Sequence, residues 1–480
     1  RIYYVVLTYD QPVWWDEADY LNIARHWAFG QPDWDINPLR PLLFPFILAM
    51  FFKIGAPEFI MRLIPFLSSL ACIILLYYVG RDLYNSSVGL AASFMLAVFW
   101  SFSFFSYRLL VDVPVTFLWL LSVFLFFRGY ELKNKVALWF SLPTMVFAFL
   151  MKFTGGLLAP IFLVYMFVTD RLKPLKNKHL WISCGLAILA SIPFFIFEVK
   201  KFGHMFAFYV TAIGGRPDAP RSFWQTLIDY VTTTLPLPHT AYFTLFLVGF
   251  ALLLFELIVG FDLLLKNKSQ QLRSNLFILL LFLIPLVYII SIGYGVYIEE
   301  RYLFLMYPFM FIVAAKGLLL LFDHIQKYSK FVAIVVVMTF LLFGAYQNLT
   351  HADDIIKEKS SSFIQVKDAG EWIQERSGKD EVVFSLHTQA ELQYASNRRV
   401  MGFPGRTPEE FLEELHRFQP RFVVVNIFVP IEQDQLWKVS YLYEHPEIFR
   451  YEKHYEPYLD PQQRLPILTI FSVNPEFYTR

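Results

Sequence analysis

Three carboxylates fall within four residues in Trp14-Trp15-Asp16-Glu17-Ala18-Asp19-Tyr20, flanked by aromatic side chains. A carboxylate in partly dry surroundings can take the proton of an attacking hydroxyl, a task worth typically about 10²–10⁴-fold in rate. The same acids also suit the start of a helix over 17–29, with Asp16 as cap and Glu17 and Asp19 facing the positive end of its dipole. A further acid, Asp112, stands in Ser106-Tyr-Arg-Leu-Leu-Val-Asp112-Val-Pro114, one helical turn after Arg108. Cations occur at Arg40, Lys152 and Arg301, the last between Glu299-Glu300 and Tyr302. Arg and Lys bind phosphate through charge-assisted hydrogen bonds, so this set fits an anionic group arriving in the membrane plane. Local pairing is the plainer account: Arg108 with Asp112, Arg301 with Glu299 or Glu300, and Lys152 reaching for the interface.

The elements that must position these residues are membrane spans. Hydrophobic types make up 56% of the 480 residues and charged types 17%, below the roughly 25% of soluble domains. The 53 phenylalanines exceed what one aqueous core needs, and a net charge of +1 gives no field to recruit nucleic acid. Apolar runs of spanning length lie at 58–80, 88–106, 113–130, 136–151, 154–169, 180–198, 240–265, 275–293, 302–322 and 331–347. A shorter run, Leu42 to Phe52, carries Pro45 and suits a half-inserted or interfacial helix. Ile2 to Tyr9 reads as the outer end of a span that begins before Arg1. Cys72 and Cys184 lie inside apolar runs, as packing residues rather than a redox pair.

Alternate loops carry the positive charge: Arg81; Arg128, Lys133 and Lys135; Arg171, Lys173, Lys176 and Lys178; Lys266, Lys268 and Arg273; Lys327 and Lys330. The positive-inside rule puts these in the cytoplasm and sends 10–41, 199–239 and the chain after 348 outward. Residues 1–347 are therefore expected to form the transmembrane domain. Residues 348–480, with water-soluble composition, should form a small extracytoplasmic α/β domain. There, Phe363–Arg376 and Pro408–Phe418 read as amphipathic helices, and Glu381–Leu386 and Phe422–Phe428 as strands with some parallel pairing.

Weaker signals are Asp33-Trp-Asp35, a D-x-D without a nucleotide fold behind it, and the Asn348-Leu-Thr350 sequon. His26, His204 and His239 could gather with Glu17 around a metal, although lone histidines are more often structural. Segment 203–237, with Gly214-Gly215-Arg216 and a helix at Trp224–Tyr230, suits a lid over an outer cavity.

The order of these features resembles the GT-C superfamily of membrane glycosyltransferases, most nearly the branch of protein O-mannosyltransferases and the lipid A aminoarabinose transferase. The resemblance runs over roughly 10–320 and rests on Trp15-Asp16-Glu17-Ala18-Asp19-Tyr20, Arg40-Pro41-Leu42-Leu43, Arg62-Leu63-Ile64, Tyr78-Val-Gly-Arg81, Leu110-Val-Asp112-Val-Pro114, Lys152 and Arg301-Tyr302-Leu303. It implies a mainly α, polytopic helical bundle that performs an inverting transfer from a polyprenyl- or dolichyl-phosphate sugar to an acceptor on protein, lipid or glycan. It further implies Asp16, with Glu17 beside it, and Asp112 as catalytic acids in one outer cavity. Lys152, Arg301, Tyr302 and, less directly, Arg40 would hold the donor phosphate. No cofactor is required, and a divalent metal is compatible but not predicted. The Trp-Trp-Asp triplet resembles the oligosaccharyltransferase signature, but that motif belongs in a soluble tail, and 350–480 hold no copy. A transporter or flippase of lipid-linked sugars, and a non-catalytic partner in a glycan-assembly complex, are the competing classes.

Overall fold

The computed structural model describes residues 1–30, 39–214, 222–237, 239–266, 268–292, 299–428, 436–456 and 466–479. Asp33, Asp35, Gly215 and Arg216, and with them the D-x-D and the centre of the expected lid, lie outside the described residues. The chain divides into two compact units. The first comprises Arg1–Val6, Asn37–Phe44 and Glu58–Lys357, and the second Leu7–Ile36, Pro45–Pro57 and Glu358–Arg480. The helix Lys330–Lys359 runs through residue 348, where the sequence suggested a boundary, because its amphipathic end continues the apolar span without a breaker.

The first unit is a helical bundle, and the protein is an integral, multi-pass membrane protein. Among the described residues eight helical stretches are long and apolar enough to cross a membrane. Two of the ten expected runs are shorter. The run at 136–151 is the 17-residue helix Lys135–Met151, and the run at 88–106 breaks into Ser86–Val98 and Trp100–Phe105. The break falls at Phe99, whose extended backbone frees the Trp100 N–H, and Asn348 Oδ1 accepts it at 3.3 Å. Asn348 also donates to the Gly344 carbonyl at 2.9 Å and is fully buried, so the folded sequon presents no acceptor nitrogen to solvent. Helices His239–Val259 and Tyr307–Ile325 approach at Gly249 and Gly317. A Cβ on Gly249 would stand 2.0 Å from the Val313 carbonyl oxygen, so only glycine allows this crossing.

Polar belts form at both ends of the helix Asp112–Tyr130, which at 1.5 Å per residue are about 28 Å apart. At the Tyr130 end, Arg273 bridges Glu131 (2.5 Å) and Asp170 (2.9 Å), while Lys316 pairs with Glu256 and donates to Asn275 at 3.1 Å. These bonds tie five helices together where the sequence shows only scattered charges.

The second unit contains a five-stranded sheet of β1 (Val382–Ser385), β2 (Arg399–Gly402), β3 (Phe422–Asn426), β4 (Phe449–Tyr455) and β5 (Leu468–Val473), in the order β2-β1-β3-β5-β4. The expected strands β1 and β3 pair in parallel, as does β1 with β2, and β5 runs antiparallel to β3 and β4. Alternation along the central strands feeds two cores. Val382, Phe384, Val423 and Val425 face helices Pro408–Phe418 and Leu436–Glu444, whereas Val383, Phe422 and Val424 face Ile364–Arg376 and Gln389–Ser396. Covering both faces explains why β1 and β3 read as continuous apolar runs.

Candidate active site

Asp112 opens the helix Asp112–Tyr130, and its backbone carbonyl accepts the Thr116 hydroxyl at 2.7 Å. Lys152 caps the end of Lys135–Met151. Its N–H donates to the Ala148 carbonyl at 3.0 Å, and its own carbonyl accepts the Gly155 N–H at 2.7 Å. This turn needs glycine, because a Cβ on residue 155 would lie 2.3 Å from the Ala148 carbonyl carbon. The tight turn thus points an extended Lys152 at Asp112, and Nζ reaches Oδ1 at 2.6 Å. Arg301, on the 3-10 turn Glu300–Leu303, brings Nη1 to 3.8 Å from the other oxygen, Oδ2, and its Nε bonds Glu299. Tyr302 joins the two cations, its ring centroid lying 5.4 Å from Lys152 Nζ and 5.8 Å from the Arg301 guanidinium carbon.

Exposure divides the roles. The Asp112 side chain is 2% exposed, that of Lys152 23% and that of Arg301 16%. The acid lies beneath, and the cations retain open surface above it. Removing one member of such a buried pair typically costs about 3–5 kcal/mol, because the other is left uncompensated. Burial pushes the neighbouring Glu300 carboxyl up, with Glu299 and Asp112 adding to the shift. Burial likewise raises the Tyr230 phenol, and Tyr302 and Glu299 contribute. Tyr230 opens a short π-helical turn, Tyr230–Thr234, whose Thr234 carbonyl accepts the Tyr307 hydroxyl at 3.0 Å. The sequence marked the helix around Trp224–Tyr230 but not Tyr230 itself.

The first-loop acids belong to the second unit, on helix Trp15–Phe29. They are not equivalent. Glu17 is fully buried, and its Oε2 accepts the Trp14 backbone N–H at 2.8 Å. The expectation of Asp16 as cap is corrected: the helix starts two residues earlier, at Trp15, and Glu17 in its first turn reaches back to accept the N–H of Trp14, the residue that precedes the helix. Asp16 and Asp19 remain half-buried. The C-terminal domain adds an acid the sequence did not mark: Glu391, 3% exposed, whose carboxyl is pushed up to about 8 by burial and by Asp19, Asp16 and Glu17.

The remaining candidates are scattered. Arg40 is half-buried at a bend before Leu43–Lys53. His239 faces His351, with ring centroids 5.4 Å apart, and His204 is exposed. Among the described residues no three His, Cys, Asp or Glu side chains are grouped to hold a metal. Cys72 and Cys184 are free thiols.

The sequence model of the dolichyl-phosphate-mannose-protein mannosyltransferase family matches residues 39–197. Among solved structures, the chain is similar to ArnT from Cupriavidus metallidurans bound to undecaprenyl phosphate. Identity is 13% and the TM-score 0.67, over 99% of this chain and 96% of that one. It is also similar to the oligosaccharyltransferase AglB from Archaeoglobus fulgidus in complex with an inhibitory peptide and a dolichol-phosphate. There the identity is 12% and the TM-score 0.60, over 99% of this chain and 76% of that one. No curated protein sequence matches this chain significantly. The GT-C resemblance read from the sequence therefore holds at the level of fold.

Proposed function

From its GT-C membrane-glycosyltransferase fold, we propose that this chain is an inverting glycosyltransferase that moves a sugar from a polyprenyl- or dolichyl-phosphate donor to an acceptor hydroxyl. The observation that carries the reading is the Asp112–Lys152–Arg301–Tyr302 cluster, in which two partly exposed cations share one buried carboxylate and one aromatic ring. The undecaprenyl phosphate and dolichol-phosphate bound by the two structural relatives support a lipid phosphate as the anion.

In the proposed reaction Asp16 takes the acceptor's hydroxyl proton. The oxygen attacks the anomeric carbon from the face opposite the phosphate. The bond from that carbon to the phosphate oxygen breaks, and its electrons leave with the lipid phosphate. Lys152 and Arg301 neutralise the charge that develops there, so the leaving group needs no strong acid. Asp112 is assigned to holding the two cations rather than to proton transfer, because its oxygens are already directed at them. The side-chain cations make a metal unnecessary in this scheme. The short basic loops support an extracytoplasmic location for the chemistry and for the C-terminal domain.

The test is transfer of radiolabelled sugar from a polyprenyl-phosphate hexose by the purified protein, wild type against Asp16→Asn. Transfer lost in the variant with donor binding intact supports the enzyme. Movement of donor across reconstituted vesicles without transfer in either protein would replace it by the transporter.

A further inference from the structure

Helix Gln389–Ser396 of the C-terminal domain lies against the first-loop helix Trp15–Phe29, within the same unit. Two bonds pin the contact. Asn22 Nδ2 donates to the Ala390 carbonyl at 2.9 Å, and Arg25 donates to the Tyr394 carbonyl at 2.7 Å with its guanidinium 3.9 Å from the Tyr394 ring centroid. Glu391, between these anchors, is 3% exposed, and its Oε2 has no hydrogen-bond partner among the described residues. Burying an ionised carboxylate in that state is costly, and Asp16, Glu17 and Asp19 nearby add to the cost.

The cations on the surrounding elements are engaged elsewhere. Arg25 is held on Tyr394, Lys367 of helix Ile364–Arg376 pairs with Asp10 at 2.8 Å, and Arg398 donates to the Gln374 and Ser377 carbonyls. Helix Ile364–Arg376 itself meets Gln389–Ser396 through Gly370 against Ala395.

We propose that the C-terminal domain takes part in the reaction through Glu391, a positioning residue that acts on Asp16 across this helix–helix contact. The inference rests on the reading of Asp16 as proton acceptor. Burial without a partner for Oε2 holds Glu391 toward its protonated form, which lets the contact close. Its folded pKa of about 8 lies above the value of about 4.3 for a free glutamate. The stabilisation it allows is therefore complete below the free value and is lost as pH rises through about 8. Once ionised, Glu391 repels Asp16 and Asp19, the contact loosens, and transfer falls.

The experiment follows thermal melting and sugar transfer of the full chain from neutral to alkaline pH, in wild type, Glu391→Gln and Asp16→Asn. Wild type should lose melting temperature, and several-fold in transfer, through about pH 8. Glu391→Gln, which keeps the shape and cannot ionise, should transfer at the wild-type rate at neutral pH and show neither alkaline loss. Asp16→Asn, with one fewer repelling charge, should shift the melting transition to lower pH. Identical alkaline profiles in wild type and Glu391→Gln, an unshifted transition in Asp16→Asn, or inactive but normally melting Glu391→Gln would each overturn the proposal. If wild type transfers nothing, the glycosyltransferase reading fails by itself, and the melting profiles still decide whether Glu391 holds its proton against Asp16.

Discussion

Around Asp112, Lys152 and Arg301 each face one oxygen of a buried carboxylate, and Glu299 balances Arg301 from the open side. Around Asp16, like charges gather instead: Glu17 is taken up as a helix cap, Asp19 is one turn away, and Glu391 is driven toward its neutral form. In the proposed transfer the first arrangement would meet the leaving phosphate and the second the acceptor's proton, and the two differ in their tolerance to change.

Substitutions can break this contrast. Asp16→Asn should have the largest effect, lowering transfer by about 10²–10⁴-fold while the protein still melts cooperatively at neutral pH, as a scintillation assay and a melting curve would show. Asp112→Ala should cost stability rather than only rate, about 3–5 kcal/mol, because it leaves two cations over one empty position. Thermal unfolding in detergent measures that, and Asp112→Ala with Lys152→Met should recover part of it. Lys152→Met alone should lower kcat/KM for the donor by about ten- to a hundredfold, the value of a charge-assisted bond of about 1.5–3 kcal/mol, with kcat falling as well as KM rising because the cation also meets the charge that develops on the leaving phosphate. Glu17→Gln keeps an acceptor for the Trp14 N–H and should change stability by less than about 1 kcal/mol and transfer by less than several-fold. Loss of transfer in Glu17→Gln as large as in Asp16→Asn would return Glu17 to the catalytic pair.

The spans were legible because twenty apolar residues in a row leave few alternatives, and the acids and cations stood out against them. What the sequence could not supply was their grouping. Lys152 follows Asp112 by forty positions, and nothing in either neighbourhood shows that the turn at Gly155 aims one at the other. The roles within Trp14-Trp15-Asp16-Glu17 were ambiguous for a local reason: capping depends on which residue begins the helix, and the observed start at Trp15 is two residues before the expected one, a shift that spacing does not settle. The apolar strands β1 and β3 were readable because both their faces are buried. The edge strand β4, exposed along Arg450–Glu452, carries polar side chains and gave no such signal. Glu391 is an ordinary acid in a short helix until burial and three neighbouring carboxylates give it meaning.

The division of labour is tested most directly by equilibrium binding of radiolabelled polyprenyl phosphate, without sugar or acceptor, to wild type, Asp16→Asn and the double variant Lys152→Met, Arg301→Met. The account predicts wild-type affinity in Asp16→Asn and loss of binding in the double variant while its fold persists. Undiminished binding without both cations would contradict it.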